Sequence, residues 1–162
     1  MLPRPASASV TEMVQVVLPN DANPLGYILG GTVMHLVDIA GAIASYRHTR
    51  QRVVTAAVDG LQFLSPIKVG DLIVLQAEVT ATFSTSLEVQ VRVLSEEALT
   101  GVRKLTSHAY LTFVAIDEHG RPVEVPPLAV DTAEDHRRVE AAHLRRQARL
   151  EARRLMRNHD GA

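Results

Sequence analysis

The chain has 162 residues, of which 46% are hydrophobic and 22% charged, a balance typical of one globular domain rather than a disordered segment. Its net charge of −1 provides no basic field for nucleic acid, and the absence of cysteine excludes a disulfide framework, a thiolate nucleophile and a sulfur-based zinc site. The N-terminus lacks the apolar segment of a signal peptide, and no run approaches the roughly 20 apolar residues of a membrane span. We therefore expect a soluble cytoplasmic protein that does not contact membranes.

The first part of the chain predicts a leader, a short strand and a long helix. Residues 1–10 are rich in Pro, Ser and Ala, which is typical of a flexible leader. A short strand between Met13 and Leu18 ends at Pro19, and turn formers then lead to a helix from about Ile28 to His48. This helix is apolar around more of its circumference than a surface helix needs, which indicates that other elements wrap around it.

Four long strands are predicted after the helix, because β-branched residues dominate about residues 53–67, 71–83, 86–94 and 104–116. The turns between them, the first at Lys68 to Asp71, favour antiparallel neighbours. Apolar and polar residues alternate in the third of these strands, and this pattern predicts one buried face and one solvent-facing face. The buried face would carry Leu87, Val89, Val91 and Val93, and the other face Glu88, Gln90 and Arg92. This order of elements indicates an α+β fold in which a strongly curved antiparallel sheet wraps around the helix.

The C-terminal part predicts a charged helix. We expect one domain over residues 11–127 and an extension over residues 128–162. Thr132 is the predicted N-cap, with acidic residues in the first turn, and eight of the 15 arginines lie between Arg137 and Arg157. Two interpretations remain open: a solvated helix packed on its own or a neighbouring subunit, or a helix whose arginines meet a phosphate-bearing ligand.

Asp38 is the residue of the first helix that most needs an explanation. Its neighbours Leu36, Val37 and Ile39 are apolar, and a carboxylate in such surroundings is costly unless it is paired, hydrogen-bonded or used in chemistry. It is therefore either a structural carboxylate, satisfied by a backbone turn or by an arginine across an interface, or a catalytic acid. His35, one turn earlier, is a candidate partner for it and a weaker candidate for a base.

The start of the same helix carries the pair Gly30 and Gly31. The first backbone N–H groups of a helix have no internal partners and lie at the positive end of its dipole, so they can stabilise an oxygen that gains negative charge. Gly31 precedes Asp38 by seven residues and shares its face. The alternative is that the glycines merely ease the loop into the helix. Asn23, in the preceding turn, is either a turn former or a polar group of the same site.

Several motifs, in this order along the chain, resemble those of the hotdog-fold acyl-CoA thioesterases, in the acyl-CoA hydrolase branch. They are Asn23-Pro-x-Gly26, Gly30-Gly31 with Asp38 seven residues on, Arg52-Val-Val-Thr55, Asp59-Gly-x-x-Phe63-x-x-Pro66, Val69-Gly70-Asp71 and the Thr85-Ser86 pair. The resemblance covers about residues 11–127. It implies a long central helix wrapped by a curved antiparallel sheet, homodimers whose sheets join edge to edge with active sites at the interface, and hexamers of three such dimers.

The resemblance also implies a reaction, the hydrolysis of acyl-CoA to a free carboxylic acid and CoA, with a role in fatty acid metabolism and no metal or cofactor beyond the CoA of the substrate. Asp38 matches the catalytic acid, as general base or nucleophile, Asn23 the asparagine beside it, and Gly31 the glycine whose N–H polarises the thioester carbonyl. In tandem-domain relatives, the asparagine and aspartate of one site come from different halves, so symmetric subunits would supply complementary halves here. The substrate-binding positions that it implies are Gly30, Arg52, Val54, Thr55, Asp59, Gly60, Phe63, Thr85 and Ser86.

The sequence differs from the family pattern in two places, and two alternative functions remain open. Leu29 stands where many relatives have His or Phe, and the arginine-rich extension lies outside the resemblance. One rival is a hotdog module that binds acyl-CoA without hydrolysing it and signals through the C-terminal helix. The other is a hotdog dehydratase, which usually needs a loop histidine that residues 20–29 lack. The chain has no GxSxG, Walker or GxGxxG motif, so a serine triad, phosphoryl transfer and hydride transfer have no support.

Overall fold

The order of secondary structure follows the sequence prediction. In a computed structural model that describes residues 1–161, a short strand and a long helix precede four long strands, and a second long helix follows them. Their bounds are β1 Thr11–Val16, α1 Gly30–Thr49, β2 Arg52–Phe63, β3 Leu72–Thr82, β4 Ser86–Glu96, β5 Arg103–Ile116 and α2 Ala133–Asp160. The α+β class with a C-terminal charged helix is confirmed.

The strands form one curved antiparallel sheet in the order β1-β3-β4-β5-β2, so β1 and β2 are its edges. The turn at Lys68 to Asp71 suggested that β2 and β3 are neighbours, and this prediction is wrong. β1 pairs along β3, and β2 pairs with the far strand β5. Residues 64–71 instead form a crossover between β2 and β3. Backbone hydrogen bonds from Ile28 N to Ile67 O and from Val69 N to Gly26 O join this crossover to the loop before α1.

The ends of three elements differ from the prediction by a few residues. β1 ends at Val16 rather than Leu18, and α1 begins at Gly30 because Leu29 has extended dihedral angles and is the N-cap. β2 ends at Phe63 because the next residues leave the sheet for the crossover. Thr132 is the N-cap of α2, as predicted, and accepts a hydrogen bond from the N–H of Asp135.

Helix α1 packs against the inner face of the sheet, and the main hydrophobic core lies between them. Gly41 allows close contact, since a Cβ at this position would lie 2.9 Å from the buried ring of Phe113. The core includes the predicted buried face of β4 and residues of α1, β3 and β5: Val33, Leu36, Val37, Ala40, Ala44, Leu75, Leu87, Val89, Val91, Val93, Leu111 and Phe113. The sheet wraps around the helix, as its apolar circumference predicted.

The outer face of the sheet is covered in part by α2. Glu88 was predicted to face solvent, and this is wrong, because its side chain is 1% exposed beneath Arg145 of α2. The alternation within β4 is correct, but the second face is occupied by a helix from the C-terminal extension. No helix within residues 1–161 is long and apolar enough to cross a membrane.

Candidate active site

Asp38 lies in the middle of α1, and its side chain is half-buried rather than sealed in the core. Its Oδ1 accepts a 2.6 Å hydrogen bond from Thr55 Oγ1 on β2. Because β2 is an edge strand, the carboxylate lies at the open margin of the sheet. His35 is exposed, and within residues 1–161 its ring forms no hydrogen bond or ion pair with Asp38.

The N-terminal end of α1 is open. Leu29 is the N-cap without a side-chain hydrogen bond, and the backbone of Val33 is the first to bond back, to Leu29 O at 3.1 Å. A Cβ at Gly31 would meet no heavy atom within 4 Å. A ligand oxygen can therefore approach the first-turn N–H groups, where the helix dipole favours negative charge.

Asn23 shapes the loop that leads into α1. Its Oδ1 accepts hydrogen bonds from the backbone N–H of Leu25 at 3.0 Å and of Tyr27 at 3.1 Å. The side-chain carbonyl is thus used by the turn, where Gly26 has a φ of +81°. The group that Asn23 can offer to a ligand is its NH2, a hydrogen-bond donor.

A cavity of about 360 Å³ lies beside this loop and the start of α1. The ring of Phe63 closes part of it against Gly30, where a Cβ would come within 3.3 Å of the ring. Its wall combines apolar groups with a few polar ones, as ligand pockets commonly do. The lining includes Asn23, Tyr27, Ile28, Gly30, Val33, Phe63, Pro66, Ile67, Thr106 and Ser107.

The predicted catalytic residues Asn23, Gly31 and Asp38 and the predicted substrate-binding residue Gly30 fall into two groups in one chain. Asn23 and Gly30 line the cavity, whereas Asp38 does not and contacts Thr55 instead. Gly31 and Asp38 share a face of α1 but are seven residues apart, about 10 Å along the helix axis. One subunit therefore presents a donor group and a carboxylate group at separate places.

The remaining predicted positions are spread along β2 and the turn before β4. Val54 and Ser86 lie in one row, because both are paired with Val114 of β5. Arg52 and Thr85 are adjacent to this row, at the end of the sheet opposite Phe63.

Asp59 has a partner that the sequence did not indicate. Its Oδ2 accepts a 2.9 Å hydrogen bond from Arg149 of α2, on the outer face of the sheet. Next to it, Gly60 has a φ of +67° at an irregularity in the pairing of β2 with β5. The Asp59 carboxylate is therefore occupied within its own chain.

No group of three or more metal-ligating side chains occurs in the part of the chain that the structure describes. The polar groups at the site are one carboxylate, one amide, backbone N–H groups and hydroxyls. Such a set can polarise a carbonyl and move a proton.

Comparison with known proteins assigns the family. The family described as thioesterase superfamily matches residues 25–102. The uncharacterized acyl-CoA thioester hydrolase YkhA of Bacillus subtilis is 40% identical over 119 residues, which cover 74% of this chain and 69% of that protein. This chain belongs to the thioesterase superfamily, in its acyl-CoA hydrolase branch.

Solved structures agree with this assignment and with the hotdog fold of the superfamily. The crystal structure of an apo-hexameric acyl-CoA thioesterase has a TM-score of 0.88 and 41% identity, and covers 94% of this chain and 97% of that one. An acyl-CoA hydrolase from Staphylococcus aureus, in complex with butyryl-CoA, CoA and CoA disulfide, has a TM-score of 0.86 and 32% identity over 96% and 94% of the two chains. Variants of that hydrolase with alanine in place of an aspartate, a threonine and an asparagine have also been crystallised.

Sequence reasoning on this thioesterase missed three side-chain pairs, Thr55 with Asp38, Arg145 with Glu88 and Arg149 with Asp59. Thr55 was predicted as a substrate-binding position, and its contact with Asp38 was not foreseen. The C-terminal helix packs on its own chain, which was one of the two interpretations left open, but the ion pairs of Arg145 with Glu88 and of Arg149 with Asp59 were not foreseen, although a signal existed. Arg138, Arg145 and Arg149 recur at intervals of seven and four residues, which predicts one basic stripe on a helix.

Proposed function

We propose that this protein hydrolyses acyl-CoA thioesters to the free carboxylic acid and CoA. The observation that carries the proposal is the carboxylate of Asp38, half-exposed at the edge of the sheet and held by Thr55 at 2.6 Å. A structural carboxylate in an apolar helix would be expected to have its hydrogen-bond partners within the core. This one instead lies where a ligand or a second subunit can reach it.

The spacing of three residues supports the choice of site. In the Staphylococcus aureus hydrolase, the asparagine, aspartate and threonine that were replaced by alanine are separated by 15 and 17 residues. Asn23, Asp38 and Thr55 are separated by the same intervals. We therefore assign Asn23, Asp38 and Thr55 to one functional set, and extend to this chain the acyl-CoA substrate class in that protein's description.

The working site in this proposal comprises groups from two subunits. Asp38 of one chain lies about 10 Å along α1 from Gly31, too far for both to act comfortably on one carbonyl. An antiparallel two-fold pairing of β2 edges brings the Phe63 end of one chain beside the Val54 end of the other. Asn23 and Gly31 of one subunit then meet Asp38 of its partner. The homodimer is the minimal active unit, and three dimers form a hexamer like the relative described as hexameric.

The reaction uses these groups in two steps. Asp38 takes a proton from water while the water oxygen attacks the thioester carbonyl carbon, and the carbonyl oxygen gains charge beside the N–H of Gly31. The NH2 of Asn23 donates to the same oxygen or to the water. When the C–S bond breaks, the CoA sulfur takes the proton from Asp38. Each turnover consumes one water and releases one carboxylic acid and one thiol.

The CoA part of the substrate is proposed to follow β2 and the turn before β4. Arg52, Val54, Thr85 and Ser86 supply one end of this surface, and Gly30 and Phe63 supply the other end from the partner chain. The Asp59 carboxylate forms an ion pair with Arg149, so at this part of β2 only the backbone groups of Asp59 and Gly60 are proposed to contact the CoA.

A thiol-release assay with a ladder of acyl-CoA chain lengths tests this function, together with a measurement of mass in solution. Asp38→Asn should lower kcat about 10³-fold with unchanged mass and circular dichroism, since general-base catalysis contributes 10²–10⁴-fold. Asp131→Asn, which changes an exposed acid just before α2, is the control and should stay within twofold. A wild type that binds acyl-CoA but releases no CoA would instead be a sensor. Full activity of Asp38→Asn would contradict the assignment of the base.

The nucleophilic alternative is tested by rapid-quench mass spectrometry of the intact chain. An acyl adduct on Asp38 during turnover would mean that the carboxylate attacks the carbonyl and forms an anhydride. Water as the nucleophile predicts no adduct.

A further inference from the structure

Ser107 is a buried serine that the proposed mechanism does not use. It lies on β5, where it pairs with Val93 of β4 and with Phe63 of β2. Side chains of directly paired residues point to the same face of an antiparallel sheet. Val93 belongs to the hydrophobic core, and the ring of Phe63 lies against the start of α1. The side chain of Ser107 therefore points to the inner face of the sheet as well.

The hydroxyl of Ser107 lacks a hydrogen-bond partner among the described residues of its own chain. Ser107 is 1% exposed, and it lines the cavity of about 360 Å³. Its neighbour Thr106 is also buried, but the Thr106 hydroxyl donates to Val93 O at 3.0 Å. An unpaired hydroxyl in such a place is costly. A polar atom of a ligand in the cavity would compensate for this cost.

The cavity begins where the thioester is proposed to bind. Gly30, the first residue of α1, lines it, and the ring of Phe63 closes part of it against Gly30. A carbonyl oxygen bound at the N–H of Gly31 therefore lies beside the cavity, and the acyl carbons that follow the carbonyl can enter it. The volume of about 360 Å³ is near the lower end of the range of about 300–1,000 Å³ for ligand sites, which suits a short acyl group.

The chemistry of the cavity wall indicates what kind of acyl group fits. The apolar side chains of Ile28, Val33 and Ile67 contribute to the wall and suit the carbons of the acyl chain. A serine hydroxyl can donate a hydrogen bond to an oxygen substituent on that chain or accept one from it. An unsubstituted chain would leave the hydroxyl of Ser107 unpaired. A site of this kind favours the substrate that carries the oxygen over the analogue that lacks it.

We propose that Ser107 selects short acyl groups that carry an oxygen substituent near the thioester carbonyl, as in 3-hydroxybutyryl-CoA. Its hydroxyl forms a hydrogen bond with that oxygen, while the apolar wall contacts the carbons. Ser107 is thus a specificity-determining residue of the proposed hydrolase. This inference rests on the proposed function but on no arrangement of subunits, because one chain supplies all the lining residues of the cavity.

A pair of substrates that differ by one oxygen atom tests this inference. The (R) and (S) forms of 3-hydroxybutyryl-CoA are each compared with butyryl-CoA in the thiol-release assay. In the wild type, kcat/KM for the better enantiomer should exceed that for butyryl-CoA at least fivefold, and Ser107→Ala should reduce this ratio to below two. Ser95→Ala, on β4 and outside the cavity lining, is the control and should leave the ratio unchanged.

Two results would overturn the inference. One is an equal ratio in the wild type and in Ser107→Ala. The other is a Ser107→Ala variant that slows the hydrolysis of both substrates by the same factor, because the hydroxyl would then contact the CoA part rather than the acyl group. Circular dichroism and mass in solution confirm that the variant folds, which is expected because no protein group pairs with this hydroxyl among the described residues.

Direct binding keeps this inference separate from the proposed reaction. Calorimetry in the Asp38→Asn background measures dissociation constants without turnover. 3-Hydroxybutyryl-CoA should bind at least fivefold more tightly than butyryl-CoA, and adding Ser107→Ala should remove this preference. If the wild type releases no CoA from any acyl-CoA, the proposed function fails, and the dissociation constants still decide the role of Ser107. Equal affinities with and without Ser107→Ala would contradict this inference alone.

Discussion

Thr55 donates a 2.6 Å hydrogen bond to the carboxylate of Asp38, and this bond joins the edge strand β2 to the middle of helix α1. The two residues are 17 positions apart in sequence, and neither belongs to the sealed core. The bond fixes the direction of the Asp38 side chain. The position of the proposed base therefore depends on the edge strand that also forms the proposed dimer interface.

Replacing Thr55 by valine keeps the shape of the side chain but removes the hydroxyl. We expect kcat for acyl-CoA hydrolysis to fall about 10- to 100-fold with KM within threefold, because a hydrogen bond to a charged group contributes about 1.5–3 kcal/mol. Thr55→Ser should restore most of the rate. An unchanged kcat in Thr55→Val would show that Asp38 needs no positioning by β2.

Gly41 and Gly31 form a matched pair for stability, since both lie in α1. Gly41→Ala places a methyl group 2.9 Å from the buried ring of Phe113, and we expect a net loss of about 1–2 kcal/mol despite the better helix propensity of alanine. Gly31→Ala meets no atom within 4 Å and should leave stability unchanged or raise it by up to about 1 kcal/mol. Chemical unfolding of both variants measures the difference. Equal stabilities would contradict the packing described for Gly41.

The same Gly31→Ala variant tests access to the helix start. It keeps the backbone N–H but places a methyl group where the thioester is proposed to approach, so hydrolysis should fall about tenfold or more while the protein stays folded. Thiol release at saturating acyl-CoA is the measurement. A fully active Gly31→Ala would place the oxyanion site elsewhere.

The buried pair of Glu88 and Arg145 predicts a strong asymmetry between single and double variants. Arg145→Met alone leaves a carboxylate that is 1% exposed without its cation and should cost about 3–5 kcal/mol. Combining it with Glu88→Leu should recover most of the loss, because two apolar groups replace the pair. Arg146→Met is the control, since Arg146 lies over the ring of Phe83 without an ion pair within residues 1–161. Equal losses in the single and double variants would contradict this account.

His48 predicts how stability changes with pH. It is fully buried, with Nε2 2.8 Å from Pro126 O, and Nδ1 has no partner among the described residues. Burial lowers the pKa of His48 below its ordinary value of 6.5, and the nearby Arg4 lowers it further. As the pH falls below 6.5, the unfolded chain takes up a proton that the folded chain does not, so stability is lost.

Thermal unfolding between pH 7 and pH 5 measures this loss, with a limiting slope of about 1.4 kcal/mol per pH unit for one proton. His48→Gln should be less stable at pH 7 but show a flatter dependence. Parallel curves for the two proteins would mean that other groups control the effect.

The sequence by itself determined the elements and the positions of the candidate site residues on them. The apolar helix that contains Asp38, the glycine pair at its start, the four long strands and the Thr132 cap all follow from spacings of a few residues. Capping, helical periodicity and strand alternation are local interactions, so one sequence is enough to predict them.

The tertiary structure decided which of these elements meet. The sequence suggested β2 beside β3, but β2 pairs with β5, and Glu88 is covered by an arginine 57 residues away. The bond between Thr55 and Asp38 and the path of α2 to the edge strand were likewise not predictable from local patterns. Such choices depend on burial summed over the whole sheet and helix, where β1 takes one edge and leaves β2 open at the other. For this reason only the fold reveals that Asp38 lies at the open edge of the sheet.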